Sequence, residues 1–229
     1  MIFGIASYHR PECRTIRTLL DAGVNKSDIV VSTQTEQDYA LYKKRHSGIE
    51  IIYADKDCAG GNRNSILDYL NSPVLLLDDD VCSFGKYKKN YSVSTELVLR
   101  EIENAVKGRI EAVIGISPTN NSIVRANRDN ETRNCLLQGT VLYFNDSSVR
   151  FDERWKMVED YELSLRLISK KKMTLRLNDY VANKPQNGTN AGGLHDRYAN
   201  NELAFWIKML NKKYPNFIPN KSFTGGRIK

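Results

Sequence analysis

The stretch Ser72–Phe84, "SPVLLLDDDVCSF", decides how this chain is read. Four apolar residues, Val74 to Leu77, run straight into three carboxylates, Asp78, Asp79 and Asp80. A short apolar run bounded by polar residues is the pattern of a strand buried on both faces. Neighbouring like charges repel, so a strand that carries three aspartates to its end needs a reason for them there. In open parallel sheets, ligands lie beyond the carboxyl ends of the strands. A hard divalent cation, Mn²⁺ or Mg²⁺, takes oxygen ligands and bridges carboxylates to phosphate oxygens, which would offset the repulsion. Alternate residues of a strand share a face, so Asp78 and Asp80 can point the same way. The competing reading is a solvated acidic turn.

Outward from this strand, the first 117 residues alternate strand and helix signals. Strands are expected at Ile2–Ser7, Asp28–Thr33, Ile49–Ala54 and Ile110–Ser117. Helices are expected from about Pro11 to Gly23, over Asn62–Leu70 and over Ser94–Val106, with apolar residues at helical spacing, and over Thr35–Ser47. Thr35 and Asp38 have capping-box spacing, with Asp in place of Glu. Alternation of this kind implies right-handed crossovers and a mostly parallel sheet covered on both faces. Three polar loops then meet on one rim: "SYHR" (residues 7–10), "DKDCAGGNRN" (residues 55–64) and the aspartates.

The second part changes character. Thr119–Asn134 is polar and irregular. Cys135–Phe144 reads as a strand interrupted by Gly139, Val158–Ser169 as a helix and Met173–Asn178 as a strand. A Gly- and Asn-rich stretch, Asn183–Tyr198, precedes a final amphipathic helix marked by Leu203, Trp206, Ile207 and Leu210. With no repeat and no linker, residues 1–229 read as one domain with two lobes, residues 1–117 and 118–229.

Composition sets outer bounds. The 229 residues suffice for one large core, and the formal net charge of +7 points to an anionic partner. Cys13, Cys58, Cys82 and Cys135 are scattered without a CxxC pair, as expected of reduced thiols rather than a disulfide framework or zinc site. No apolar run approaches the roughly 20 residues that span a bilayer, and the N-terminus is not patterned as a signal peptide. A soluble, cytoplasmic protein is the expectation.

An apolar strand ending in Asp-x-Asp resembles the metal and nucleotide-sugar signature of GT-A glycosyltransferases. A second motif strengthens the resemblance. "VRFDERWKMVEDYELSLRL" (Val149–Leu167) is similar to the family-2 pattern in which a "GGFDE" turn precedes an "EDxxLxxR" helix. Phe151-Asp152-Glu153 stands for the turn without its glycines; Glu159-Asp160, Leu163 and Arg166 follow at the expected spacing. "GGNRNSILDYL" is similar to "GxxxARNxG", with Arg63-Asn64 in place. The order of the motifs also agrees, and the resemblance covers roughly Ile2 to Leu177.

The resemblance implies a Rossmann-like GT-A fold with an acceptor-binding lobe. It further implies metal-dependent, inverting transfer of a sugar from a nucleoside-diphosphate sugar to an acceptor hydroxyl. Asp80 and Asp78, with a late histidine, His195, would hold Mn²⁺ or Mg²⁺. Ser7, Tyr8, Arg10, Arg63, Asn64, Asp78 and Asp79 would recognise the donor. Asp160 would be the base, supported by Glu159, both in the first turn of a helix where the macrodipole favours the ionised form. A phosphatase of the HAD class also places Asp-x-Asp after an apolar strand, but near the chain start and with a late acidic pair ending a strand; here the Glu-Asp pair opens a helix.

For the acceptor, lysines after Glu202 interleave with aromatic residues in "KKYPNFIPNKSF" (residues 212–223), and "GKYKKNY" (residues 85–91) is a second basic cluster. Lysines on phosphates and rings on bases suit nucleic acid. A solvated basic tail is the plainer reading, and a purely nucleic-acid-binding module would leave the acidic rim unexplained. The compact chain and its Asn-Gly-rich stretch resemble phage-type enzymes that glycosylate hydroxymethylated pyrimidines in DNA, the group associated with TET/JBP oxygenases. The alternative is a family-2 transferase of bacterial surface polysaccharide synthesis.

Overall fold

The computed structural model describes residues 1–87, 93–118, 129–185, 197 and 200–216. Nine strands form one sheet. In chain order they are β1 (Phe3–Ser7), β2 (Ile29–Thr33), β3 (Glu50–Tyr53), β4 (Val74–Asp78), β5 (Ser83–Lys86), β6 (Val113–Ser117), β7 (Glu131–Arg133), β8 (Val141–Phe144) and β9 (Thr174–Asn183). The described α-helices are α1 (Arg14–Asp21), α2 (Glu36–Arg45), α3 (Ala59–Leu70), α4 (Thr95–Val106), α5 (Glu159–Ser169) and α6 (Glu202–Lys213).

The sheet order is β3-β2-β1-β4-β8-β6-β9-β5, with β7 also paired to β9. Strands β1 to β4 are mutually parallel, and β6 and β9 are parallel to each other. β8 runs antiparallel between β4 and β6, so β6 points the same way as β4. The mostly parallel α/β sheet is the one expected. β5 and β7, each antiparallel to β9, were not legible because they are short and carry no alternating apolar pattern.

Alternation along β4 divides the core. Leu75 and Leu77 join Ile5, Val31 and the apolar stripes of α1 and α4 on one face. Val74 and Leu76 join Ile66 and Leu67 of α3 and Leu163 and Leu167 of α5 on the other. All of these side chains are buried, and each is worth about 1.5–3 kcal/mol relative to exposure. A third cluster, Trp155, Val158, Leu165, Leu210 and Tyr214, packs α6 onto α5.

Several helix starts follow from local chemistry. Thr35 caps α2, its side chain accepting from the Asp38 N–H, and Ser94 caps α4 through the Leu97 N–H. Cys58 does the same for α3 with its sulfur, accepting from the Gly61 N–H. The expected strand at Cys135–Phe144 begins only at Val141. The residues before it turn away from the sheet to meet α5: Leu137 N donates to Ser164 Oγ at 3.0 Å and Gly139 N donates to Asp160 Oδ2 at 2.7 Å.

Candidate active site

The aspartate turn is fixed before any of its side chains is considered. Thr15 Oγ1 donates to the Asp78 carbonyl at 2.6 Å and accepts from the Val81 N–H at 2.9 Å. Thr18 Oγ1 donates to the Val81 carbonyl at 2.9 Å. On the other side Asp78 N donates to the Thr140 carbonyl at 3.1 Å. The start of α1 and the start of β8 therefore clamp this backbone between them.

The three carboxylates then take different paths. Asp79 turns inward. Arg10 donates to its Oδ1 at 2.6 Å, and Ser7 Oγ donates to its Oδ2 at 2.6 Å. Burial pushes its carboxyl up to about 6 against the pull of Arg10 and Ser7. Asp78 lies between two cations: Arg63 Nη2 donates to Oδ1 and Lys184 Nζ to Oδ2, both at 2.8 Å. Burial alone would raise its carboxyl; Lys184 and then Arg63 outweigh burial and hold it well below the usual range. Asp80 accepts from Arg10 at 3.1 Å on Oδ2, while its buried Oδ1 has no hydrogen-bond partner among the described residues. Burial, then the neighbouring Asp78, raises its carboxyl.

Arg63 was expected on the donor. It is instead buried in the second turn of α3, joining Asp78 to Glu159 at 2.5 Å through Nη1. Burial opposes its charge, but Asp78, then Glu159 and Asp160, raise its pKa overall. The motif residues thus come together through a guanidinium that bridges the aspartate strand to the Glu-Asp helix. Asn64 was also expected on the donor. Its side chain donates to the Phe151 carbonyl at 3.0 Å and to Glu153 at 3.1 Å, and accepts from Phe151 N at 2.8 Å. That amide holds the Phe-Asp-Glu turn, with both of its N–H donors engaged there. Ser7 and Asp79, also expected on the donor, are both buried, and the Ser7 hydroxyl is engaged by Asp79 and by Tyr42 Oη at 2.6 Å.

Val158, immediately before α5, has φ 56°, a left-handed conformation that a β-branched residue rarely takes. The turn aims Asp160 back toward β8. Its Oδ2 accepts from Gly139 N and its Oδ1 from its neighbour's N–H at 2.8 Å. Burial, then Glu159, raises the Asp160 carboxyl, with the Gly139 N–H opposing. A Cβ at Gly139 would lie 3.0 Å from Arg63 Nη2 and 3.3 Å from Asp160 Oδ2, so only glycine leaves both groups undisturbed.

The loop after β1 is held by α2. Tyr42 Oη donates to the Arg10 carbonyl at 2.6 Å, and His9, at φ 55°, donates its N–H to Asp38 Oδ2 at 2.9 Å. Tyr8 and His9 stack with ring centroids 3.9 Å apart. Tyr8 is partly exposed, and its backbone N–H lies 3.4 Å from Asp79 Oδ2. Lys184, Gly139, Tyr42 and Asp38 were missed from sequence. Only Gly139, a glycine interrupting an apolar strand pattern, carried a signal there.

Other expected residues stand apart. His195 lies outside the described residues, as do Lys88, Lys89, Phe217, Lys221 and Phe223. Two basic residues of the expected nucleic-acid clusters are paired with carboxylates of this chain. Lys86 bonds Glu101 at 2.5 Å, and Lys213 bonds Glu162 at 2.8 Å beside the Trp155 ring.

Among the described residues no three His, Cys, Asp or Glu side chains gather as a metal cage. An ion that bridges to substrate phosphates needs only one or two protein carboxylates. The open Oδ1 of Asp80, beside Asp78, fits that requirement.

A mixed sheet of this order, with an aspartate strand end facing a Glu-Asp helix, defines a GT-A-type fold. The crystal structure of glucosyl-3-phosphoglycerate synthase from Mycobacterium tuberculosis in complex with phosphoglyceric acid shares it. Its TM-score is 0.54 at 10% identity, over 93% of this chain and 79% of that one. A CMP:2-keto-3-deoxy-manno-octonic acid synthetase complexed with CTP matches at a TM-score of 0.48 and 10% identity, over 92% of this chain and 98% of that one. No curated protein sequence matches. Over residues 4–193 the chain matches the TET-Associated Glycosyltransferase family, and it belongs to that family. It is a glycosyltransferase, with a nucleotide-sugar donor and an acceptor. Among the described residues no helix is long and apolar enough to cross a membrane.

Proposed function

We propose that the enzyme is a metal-dependent, inverting glycosyltransferase whose acceptor is the hydroxyl of a hydroxymethylpyrimidine in DNA. The observation that carries the reading is Arg63, which bonds both Asp78 and Glu159 and so joins the aspartate rim to the Glu-Asp helix. Donor and acceptor chemistry then share one cluster. Asp160 takes the acceptor hydroxyl proton as the oxygen forms its bond to the anomeric carbon. The bond from that carbon to the diphosphate breaks, and the diphosphate leaves with the electron pair. Asp80 and Asp78 would hold Mn²⁺ or Mg²⁺, and the ion supplies positive charge for the leaving diphosphate. His195 is a further candidate ligand. Tyr8 offers a ring for the base, and Arg10 holds Asp79 and Asp80 in place. The Glu159 carboxylate keeps Arg63 oriented rather than acting on the proton.

The DNA acceptor is supported by the family's association with TET enzymes and by the basic balance of the chain. The test is a two-stage assay. Nucleotide sugars are first screened for Mn²⁺-dependent hydrolysis in the parent and in Asp80→Ala. The preferred donor is then offered with hydroxymethylated DNA, unmodified DNA and anionic liposomes carrying a lipid-linked acceptor. Transfer only to hydroxymethylated DNA, lost with chelator, is the expected result. Transfer to the lipid-linked acceptor alone would redirect the enzyme to polysaccharide synthesis.

A further inference from the structure

We infer that Lys184 is a built-in counter-ion of the aspartate rim, occupying Asp78 in the free protein and giving way when a divalent cation binds. The inference rests on the metal-dependent reading above and adds the residue that controls loading of that site.

The argument begins with lone pairs. Both oxygens of Asp78 are engaged, Oδ1 by Arg63 and Oδ2 by Lys184. An ion that takes Asp78 as a ligand has to displace one of these cations. Arg63 is the poorer candidate: its side chain is 7% exposed and is also bonded to Glu159 and to the Gly139 carbonyl. Moving it would leave the buried Glu159 carboxylate without its partner. Lys184 is different. It is 18% exposed, it ends a flexible four-carbon stem, and its hydrogen bond among the described residues goes to Asp78. It follows directly on β9, whose carboxyl end reaches the same rim as that of β4.

Position strengthens the case. The ammonium sits 2.8 Å from Oδ2 of Asp78, on the oxygen that Arg63 leaves open, two residues before Asp80 with its unpartnered Oδ1. The repulsion anticipated from the sequence is therefore already offset without a metal. Arg10 serves Asp79 and Asp80, Arg63 serves Asp78 and Glu159, and Lys184 closes the remaining edge of Asp78. A divalent ion arriving there exchanges with the ammonium, and Lys184 is freed beside the diphosphate that the ion accompanies. Ion binding without a diphosphate is thus opposed by the protein's own charge.

The experiment measures free Mn²⁺ by electron paramagnetic resonance during titration into the full chain without nucleotide. Parent, Lys184→Met, Lys184→Gln, Lys184→Arg and Asp80→Asn are compared, with thermal melting to establish folding. Removing a like charge at this range is expected to tighten Mn²⁺ binding about tenfold or more in Lys184→Met and Lys184→Gln. Lys184→Arg should bind like the parent, and Asp80→Asn should lose binding. Equal affinity in parent, Lys184→Met and Lys184→Gln, with Asp80→Asn still defective, would overturn the exchange and leave the metal reading standing. No Mn²⁺ binding in any variant would overturn both.

Discussion

The backbone N–H of Gly139 donates to Oδ2 of Asp160 at 2.7 Å, tying the entry to β8 to the first turn of α5. The contact orients the proposed base and leaves no room for a side chain. Gly139→Ala should press its methyl on Arg63 and Asp160 together. A displacement of about 1 Å at a reacting group costs about 10²-fold in rate. The shift demanded here is a few tenths of an ångström, so single-turnover transfer should fall by less than that, with circular dichroism unchanged; parental transfer would show that this proximity does not matter.

Arg63 is the only bridge described between Asp78 and Glu159, and it is buried. Arg63→Met strands the Glu159 carboxylate, while Asp78 keeps Lys184. Removing one partner of a buried ion pair costs about 3–5 kcal/mol. Urea unfolding should show a lower midpoint with an unchanged slope. A loss below about 1 kcal/mol would mean that water reaches Glu159 in the variant.

Asp160 should set the acid limb of the pH profile. Its folded pKa is raised, burial being the first cause and Glu159 the second. A base must be ionised to accept a proton, so transfer should fall as pH drops through this raised value, above the ordinary carboxylate range. Linkage has the opposite sign: holding Asp160 ionised when folded costs stability above its unfolded pKa, and that cost is relieved as pH falls through the folded pKa. Asp160→Asn should lose about 10²–10⁴-fold in transfer while retaining donor affinity. A kcat profile that stays flat from pH 5 to neutrality, an order-of-magnitude window around the ordinary carboxylate values, would exclude Asp160 as the base.

Glu162 is fully buried and accepts from Lys213 Nζ at 2.8 Å, Tyr214 Oη at 2.9 Å and Arg166 Nε at 3.2 Å. These bonds fasten the end of α6 to α5. Glu162→Gln keeps the shape but removes the charge, and charge-assisted bonds are worth about 1.5–3 kcal/mol. Amide hydrogen exchange should rise in residues 202–213 before it rises in the sheet. Uniform exchange across both would place the fastening elsewhere, in the apolar contacts of Leu210 and Trp206.

What was legible in the sequence followed from periodicity and punctuation. The apolar run into Asp78 announced β4, the Thr35 cap announced α2, and the Glu-Asp pair announced α5. What was not legible depended on distant partners. Asn64 and Ser7 read as donor contacts because their motif positions say nothing about Phe151 or Tyr42, which consume their hydrogen bonds. Lys184 is one lysine among many until β9 brings it to the rim. β5 and β7 exist because β9 offers each of them an edge, which no local pattern records.

The insertion of β8 between β4 and β6 has a mechanical consequence. The strand bonds to the nucleotide-side strand along Val74–Leu77 and to β6 along Val113–Gly115, so the sheet is continuous from one half of the chain to the other. Two halves stitched by ladder hydrogen bonds cannot swing apart about a hinge. The sheet is therefore a stiff plate, and any opening at its rim belongs to side chains and loops.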